Sequence, residues 1–307
     1  MKFAGIIAEY DPFHNGHAWQ LAQAKALGAE RVAVAMSCSL VQRGALPLLP
    51  EAVRTRSALT CGADLVFALP APCACAGAEA FARAGVALLA AAGCDGLVFG
   101  AETPDAALLM EAAELLDSGS YRAALKAQLA GGARSFAAAR QTAAAKLASD
   151  ERVAALLDKP NNNLAVEYCR AIRSLAPRME AYPLPRQGAN HGEALHSAHG
   201  QFASASALRK LWAEGGADAV APYVPEAVFP LYQEAYAAGQ YTDFSAAGRC
   251  ELALLRSACR GKAPFADIRG VSEGLEHRLE AAVRTSTTYD ELLDALTTCL
   301  LYTSDAA

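Results

Sequence analysis

Short apolar runs and stretches of helical period alternate through the first hundred residues. Phe3 to Ala8 has the length of a buried strand, and a turn cluster at Asp11-Pro12 leads from it into a helical stretch from His17 to Leu27. Arg31 to Ser37 reads as a second strand. A loop punctuated by Gly and Pro, Cys38 to Pro50, then precedes a helix over Glu51 to Cys61. Leu65 to Leu69 follows as a third strand, Ala78 to Ala92 as a helix and Gly96 to Phe99 as a fourth strand. Strand and helix in strict alternation predict an α/β fold with a doubly wound, mostly parallel sheet of Rossmann type.

Beyond Glu102 the pattern turns helical. Pro104 to Leu116, Tyr121 to Leu129, Ser135 to Leu147, Glu151 to Leu157 and Asn162 to Leu175 carry apolar residues at helical spacing, and Met179 to Leu184 returns as one more strand. From Ala203 the chain reads as helices only, with breaks at Gly215-Gly216, Pro222 to Pro225 and Gly270 to Gly274. These breaks predict a first domain over residues 1–195 with a helical insertion and a helical C-terminal domain over 196–298.

Composition narrows the class. At 307 residues with 53% hydrophobic and 19% charged positions, the chain has ample material for a core, so disordered and collagen-like classes are excluded. Alanine accounts for 73 positions, and the 20 Arg against 7 Lys point to codon bias in a GC-rich genome more than to function. A formal net charge of −5 requires any nucleic-acid partner to be held by a local basic patch. The N-terminal apolar run is cut by Glu9, and the apolar stretch after Arg83 ends at Asp95, too short for a bilayer, so no membrane partner is expected and a cytoplasmic location is. Nine cysteines, an odd number without a CxxC pair, read as reduced thiols, and no metal site is expected from them.

The most informative segment is Glu9-Tyr10-Asp11-Pro12-Phe13-His14-Asn15-Gly16-His17, between the first strand and the first helix. Ligands of an open α/β sheet bind there, where a strand ends and a helix begins with unpaired N–H groups that favour phosphate oxygens. Two imidazoles three residues apart across a tight turn suit one anion. A nucleotide phosphate fits, because displacement at an α-phosphorus builds charge on oxygens that imidazole N–H groups stabilise. Spacing alone also allows His17 as an ordinary helix-start residue and His14 as a loop histidine.

The run Gly5 to His17 resembles the His-x-Gly-His nucleotidyltransferase superfamily and, in detail, the tRNA(Met) cytidine acetate ligase family. Further matches are Met36-Ser37 with Val41 to Gly44, Gly62 to Val66 closing at Leu69-Pro70, and Phe99-Gly100-Ala101-Glu102. Pro160 to Asn162, the Gly188-Ala189 turn after Arg186, Ala203 to Arg209 and Val271 to Glu276 extend the match along nearly the whole chain.

The resemblance implies a Rossmann-like nucleotidyltransferase that uses ATP, with Mg2+, to activate acetate as acetyl-adenylate. The acetyl group then passes to the wobble cytidine of elongator methionine tRNA. Acetate and that tRNA are the implied partners; oligomeric state is left open. It implies that His14 and His17 are catalytic. It further implies ATP binding by Ile7, Ala8, Glu9, Tyr10, Asp11, Pro12, Phe13, His14, Asn15, Gly16, His17, Gln20, Gly100, Asn161 and Arg186.

Gln42, Arg43, Ser204 and Arg209 are candidate phosphate or RNA contacts. Bland roles stand beside these. Gly100 is also a turn former, Asn161 and Asn162 a helix cap, Arg186 a solvated strand-end charge, and Ser204 and Ser206 caps for the next helix. His191, His196 and His199 read as surface histidines rather than metal ligands. Departures from the family pattern are Asp11 where Asn is usual, Ser37-Cys38-Ser39-Leu40, and Ala45 and Ala68 at positions usually acidic.

Residues Cys299 to Ala307 match the in-frame translation of a transposase-type sequencing adaptor, which puts the native end near Thr298, where the family continues into a basic segment. The alternative is that Leu300 and Leu301 finish a helix begun at Asp290. Two other functional readings remain open: a different adenylyltransferase acting on a small substrate, and a catalytically weak RNA-binding relative.

Overall fold

A computed structural model describes residues 1–42, 44–131, 136–186, 195–197, 200–261, 265–268, 271 and 274–296. Arg43, the Gly188-Ala189 turn, His191, His199 and the segment Cys299 to Ala307 lie outside them, as does the side chain of His196.

Five strands form one all-parallel sheet: β1 (Phe3–Ala8), β2 (Arg31–Ser37), β3 (Leu65–Leu69), β4 (Gly96–Ala101) and β5 (Glu180–Pro185). Their spatial order is β3-β2-β1-β4-β5, so the direction of winding reverses between β1 and β4. In register, Ala8 lies opposite Met36, Ser37 opposite Leu69, and Gly100 opposite Leu184. The doubly wound sheet expected from the sequence is present, and every expected strand lies within two residues of its predicted ends. A ribbon and one helix escape a reading by apolar runs because each of their elements is only three or four residues long. They are the antiparallel ribbon of β6 (Leu195–Ser197) and β7 (Gly200–Phe202), and a one-turn helix, α3 (Ala71–Ala74).

Helices cover both faces. Before the sheet reverses, α1 (Asn15–Ala26), α2 (Glu51–Thr60) and α4 (Ala78–Ala91) connect the strands. A helical insertion, α5 (Ala106–Asp117), α6 (Gly119–Ala130), α7 (Phe136–Leu147), α8 (Glu151–Leu156) and α9 (Pro160–Leu175), separates β4 from β5. One core packs Ala33, Ala35, Leu97 and Phe99 against α4, α5 and α9. α4 lies close enough to β1 that a Cβ on Gly85 would meet the Ile7 side chain at 2.5 Å, so only glycine permits that approach.

The opposite core joins Ile6, Val32, Val34 and Met36 to α1, to α10 (Ala205–Ala219) and to α11 (Phe229–Ala237). Leu208, Trp212 and Tyr232 of those last two helices are buried in this core, with α11 packed on α2 and on α10. The larger compact unit therefore closes at Tyr241, and the smaller, opening at Thr242, holds α12 (Phe244–Ala258), α13 (Leu275–Thr285) and α14 (Tyr289–Leu296) around Leu252, Phe265 and Val283. α10 and α11 fall in the larger unit because they bury their apolar residues in its second core. Among the described residues no helix is long and apolar enough to cross a membrane.

Candidate active site at the first turn

β1 ends at Ala8, beside the point where winding reverses, and the chain then folds over the carboxyl edge of the sheet. Tyr10 takes a left-handed backbone (φ 52°), and the Asp11-Pro12 peptide is cis. Tyr10 and Phe13 are fully buried and meet edge to face at 4.9 Å between centroids, and Tyr232 donates its hydroxyl to the Phe13 carbonyl at 2.7 Å. With Ile7 packed on α4, the side chains of Ile7, Tyr10 and Phe13 are core. Only their backbones remain for a ligand.

The turn delivers two imidazoles to the start of α1. His14 caps the helix: its Nδ1 accepts the Gly16 N–H at 3.0 Å, while His17 Nδ1 accepts the His14 N–H at 3.3 Å. The rings stack with centroids 3.8 Å apart and 23° between planes. Burial holds both below the ordinary histidine range, His14 at about 4, helped by the positive charge of Arg186, and His17 well down through burial, His14 and Arg186. Both are neutral at pH 7. A neutral imidazole whose Nδ1 accepts must carry its proton on Nε2, so each ring has one N–H donor left for a ligand. The Gly16 N–H, one of the first N–H groups of α1, is already given to His14.

Beyond β4 stands a second group. The Arg186 Nη1 donates to Asn161 Oδ1, and Asn161 donates through its Nδ2 to Glu102 Oε1 at 2.6 Å. Glu102 Oε1 also accepts the Asn161 N–H at 3.2 Å, and Oε2 the Asn162 N–H at 2.7 Å. Glu102 is thus the anionic cap of α9, a role expected of Asn161 or Asn162 themselves, while Asn162 instead exchanges bonds with Thr103. A Cβ on Gly100 would lie 3.3 Å from Arg186 Cγ, so glycine leaves the arginine room over the end of β4. The structure therefore brings His14, His17, Gly100, Asn161 and Arg186 together.

Other expected contacts are committed elsewhere. Gln20 donates to the Val98 carbonyl at 3.2 Å, and Asn15 to the carbonyls of Gln201 and Pro222, so both tie α1 in place. Asp11 is buried. It accepts the Leu48 N–H at 2.6 Å and pairs with Arg209 at 3.1 Å, and the same Arg209 Nη1 donates to the Asp11 carbonyl. Its carboxylate and Arg209 are thereby engaged with each other. Ser204 caps α10 by accepting the Ala207 N–H at 3.2 Å. Gln42 donates its backbone N–H to Glu9 Oε1.

Arg54, which no sequence motif singled out, organises this edge. Fully buried, it donates to the carbonyls of Leu49 (2.9 Å), Glu9 (2.7 Å), Ser37 (2.6 Å) and Cys38. Its signal in the sequence is an arginine on the same stripe of a helix as Val53, Ser57 and Ala58, where a charge is affordable only if fully hydrogen-bonded.

The chain matches the HIGH nucleotidyl transferase family over residues 1–304. It is 37% identical over 299 residues to a tRNA(Met) cytidine acetate ligase of Syntrophotalea carbinolica, covering 96% of this chain and 70% of that protein. A protein of the same name from Acetivibrio thermocellus is 33% identical, with 97% and 73% covered. Two crystal structures of Thermotoga maritima TmcAL are similar over 100% of this chain and 74% of theirs. The apo form has a TM-score of 0.89 at 29% identity, and the form bound with alpha-thio ATP has 0.87 at 28%.

Proposed function

Because the chain belongs to the tRNA(Met) cytidine acetate ligases of the HIGH nucleotidyl transferase family, we propose that the stacked histidines and the Arg186–Asn161 pair divide the work on ATP. The reaction is ATP-dependent activation of acetate to acetyl-adenylate, then transfer of the acetyl group to the wobble cytidine of elongator methionine tRNA. In the first step an acetate oxygen bonds to the α-phosphorus, the bond from that phosphorus to the bridging oxygen breaks, and pyrophosphate leaves with the electron pair.

Charge grows on the equatorial and leaving oxygens, and that is where His14 and His17 aim their Nε2–H donors. Being neutral and fixed through Nδ1, they need no reorganisation as the charge develops. Arg186, steered by Asn161 and through it by Glu102, supplies the positive charge for the triphosphate. The backbone from Ile7 to Phe13 and the bare Gly100 accommodate the nucleotide between β1 and β4. Mg2+ would accompany ATP as the hard counter-ion of its phosphate oxygens. We read the compartment as cytoplasmic, where the tRNA substrate is.

The stacked pair with both Nδ1 atoms engaged carries this reading. The test is purified protein with ATP, labelled acetate and methionine tRNA, followed for acetyl-adenylate and for acetylated cytidine. Formation of both, lost in His17→Ala, is the expected result. ATP turnover without acetate dependence would defeat the reading in favour of another adenylyltransferase, and tRNA binding without ATP turnover would favour an RNA-binding relative.

A further inference from the structure

Acetate needs a place beside the α-phosphate, and two unused donors mark one. Ser37 ends β2, is wholly buried, and its Oγ has no hydrogen-bond partner among the described residues; neither has the buried Nε2 of Gln42. A buried donor left unpaired costs free energy, so two at one edge call for an occupant. Their main chains are joined through Glu9. One nitrogen of Arg54 binds both the Glu9 and the Ser37 carbonyls, and the Glu9 carboxylate accepts the Gln42 backbone N–H. Glu9 is five residues from His14 along the same turn.

We propose that Ser37 Oγ and Gln42 Nε2 form the subsite that holds the carboxylate of acetate for attack on the α-phosphorus; this rests on the function proposed above. Two neutral donors suit a monoanion with two oxygens. They leave it nucleophilic, whereas a cation would bind it tightly and blunt its attack, and the buried Arg54 is already engaged with four carbonyls. A covalent route through the neighbouring Cys38 is disfavoured. That thiol is buried, donates to the Met36 carbonyl at 3.2 Å, and is pushed up to about 11. Acetate therefore attacks directly: its oxygen gains the bond to phosphorus, pyrophosphate departs, and no protein bond forms.

The experiment is acetate-dependent ATP–pyrophosphate exchange in the full chain, with acetate and ATP varied separately. Ser37→Ala and Gln42→Leu are each expected to raise the KM for acetate about 10-fold or more, the loss of one hydrogen bond to a charged group, while the KM for ATP keeps its wild-type value. Gln42→Glu, which sets like charge against the substrate, abolishes acetate-dependent exchange. An unchanged KM for acetate in both Ser37→Ala and Gln42→Leu overturns the subsite, as does a parallel rise in both KM values. Should Ser37→Ala misfold, Gln42→Leu decides alone, since it keeps the backbone bond to Glu9. Wild-type protein that exchanges without acetate overturns the functional reading itself, a result distinct from failure of the subsite.

Discussion

His14 and His17 hold each other through the main chain: the His17 ring accepts the His14 N–H at 3.3 Å, and the two rings stack at 3.8 Å. Each imidazole is a structural cap at Nδ1 and a donor at Nε2, so the fold of the turn and its chemistry cannot be changed separately at these positions. Removing the His17 ring is expected to raise the barrier to acetyl-adenylate formation by about 2–4 kcal/mol, the usual cost of losing one preorganised donor to a transition-state oxyanion. Single-turnover adenylate formation in His17→Ala and His17→Asn measures it. Equal rates in variant and wild type would remove the ring from the site.

The neutrality of this pair has its own pH signature. Burial holds His14 at about 4 and His17 well below its ordinary value, while the unfolded chain binds those protons near pH 6.5. The unfolded state therefore gains protons first, and the pair's contribution to stability is complete above pH 6.5 and lost as pH falls toward 4. Urea midpoints from pH 7.5 down to 5 should fall in the wild type and fall less in His14→Asn. The acid limb of kcat/KM for adenylate formation should lie below pH 6. A limb at 6.5 would mean that the imidazoles titrate like free histidines.

Arg54 is expected to be intolerant of change. Arg54→Met keeps much of the volume but strands the carbonyls of Glu9, Ser37, Cys38 and Leu49 in the interior. At about 1–3 kcal/mol for each buried group left without a partner, the variant should lose most of a domain's stability, and Arg54→Lys should recover little because an ammonium cannot span the fork. Thermal melts decide this, and a loss below about 1 kcal/mol would contradict the role assigned to the guanidinium.

These residues show what the sequence could disclose. Strands such as Arg31 to Ser37 were legible as continuous apolar runs and helices such as Ala78 to Ala91 by apolar residues at helical spacing, and the candidate site in the first turn was legible because its histidines and their neighbours fall within nine positions. Glu102 and Arg54 were not. Each works by reaching atoms distant in the chain, Glu102 to Asn161 and Asn162, Arg54 to Glu9, and no local period records such a reach. Asp11 and Asn15 within the motif, and Gln20 just beyond it, show the converse: their side chains tie the turn and α1 to α10, to the ribbon and to β4. The packing limit at Tyr241 was equally hidden, because the apolar stripe of α10 does not say which surface it covers.

The second anchor of the site predicts a graded series. Glu102 holds Asn161, which holds Arg186, so Arg186→Ala should raise the KM for ATP most, Asn161→Ala less, and Glu102→Gln least, because the amide oxygen still accepts one helix N–H. About 10- to 100-fold for Arg186→Ala is the scale of a lost charged hydrogen bond. Initial rates with ATP varied at saturating acetate give the order. A Glu102→Gln effect larger than that of Arg186→Ala would place the carboxylate itself on the nucleotide.

Asp11 and Arg209 offer a test of whether this departure from the family residue is compensated within the chain. The Asp11 carboxylate is only 5% exposed, and its pKa is raised because burial outweighs the Leu48 N–H, Arg209 and Arg54. Removing the partner in Arg209→Ala leaves a buried charge with one hydrogen bond, which should cost about 3 kcal/mol. Asp11→Asn alone should cost less, since an amide oxygen still accepts from Leu48 and nothing charged is buried. Combined with Arg209→Ala, it should restore much of what the single variant lost, so the two effects are strongly non-additive. Urea denaturation of the four proteins at pH 7.5 closes the cycle. Additive losses would mean that Arg209 stabilises the fold without reference to the charge on Asp11, and that the acidic residue in the turn is a neutral substitution rather than half of an ion pair.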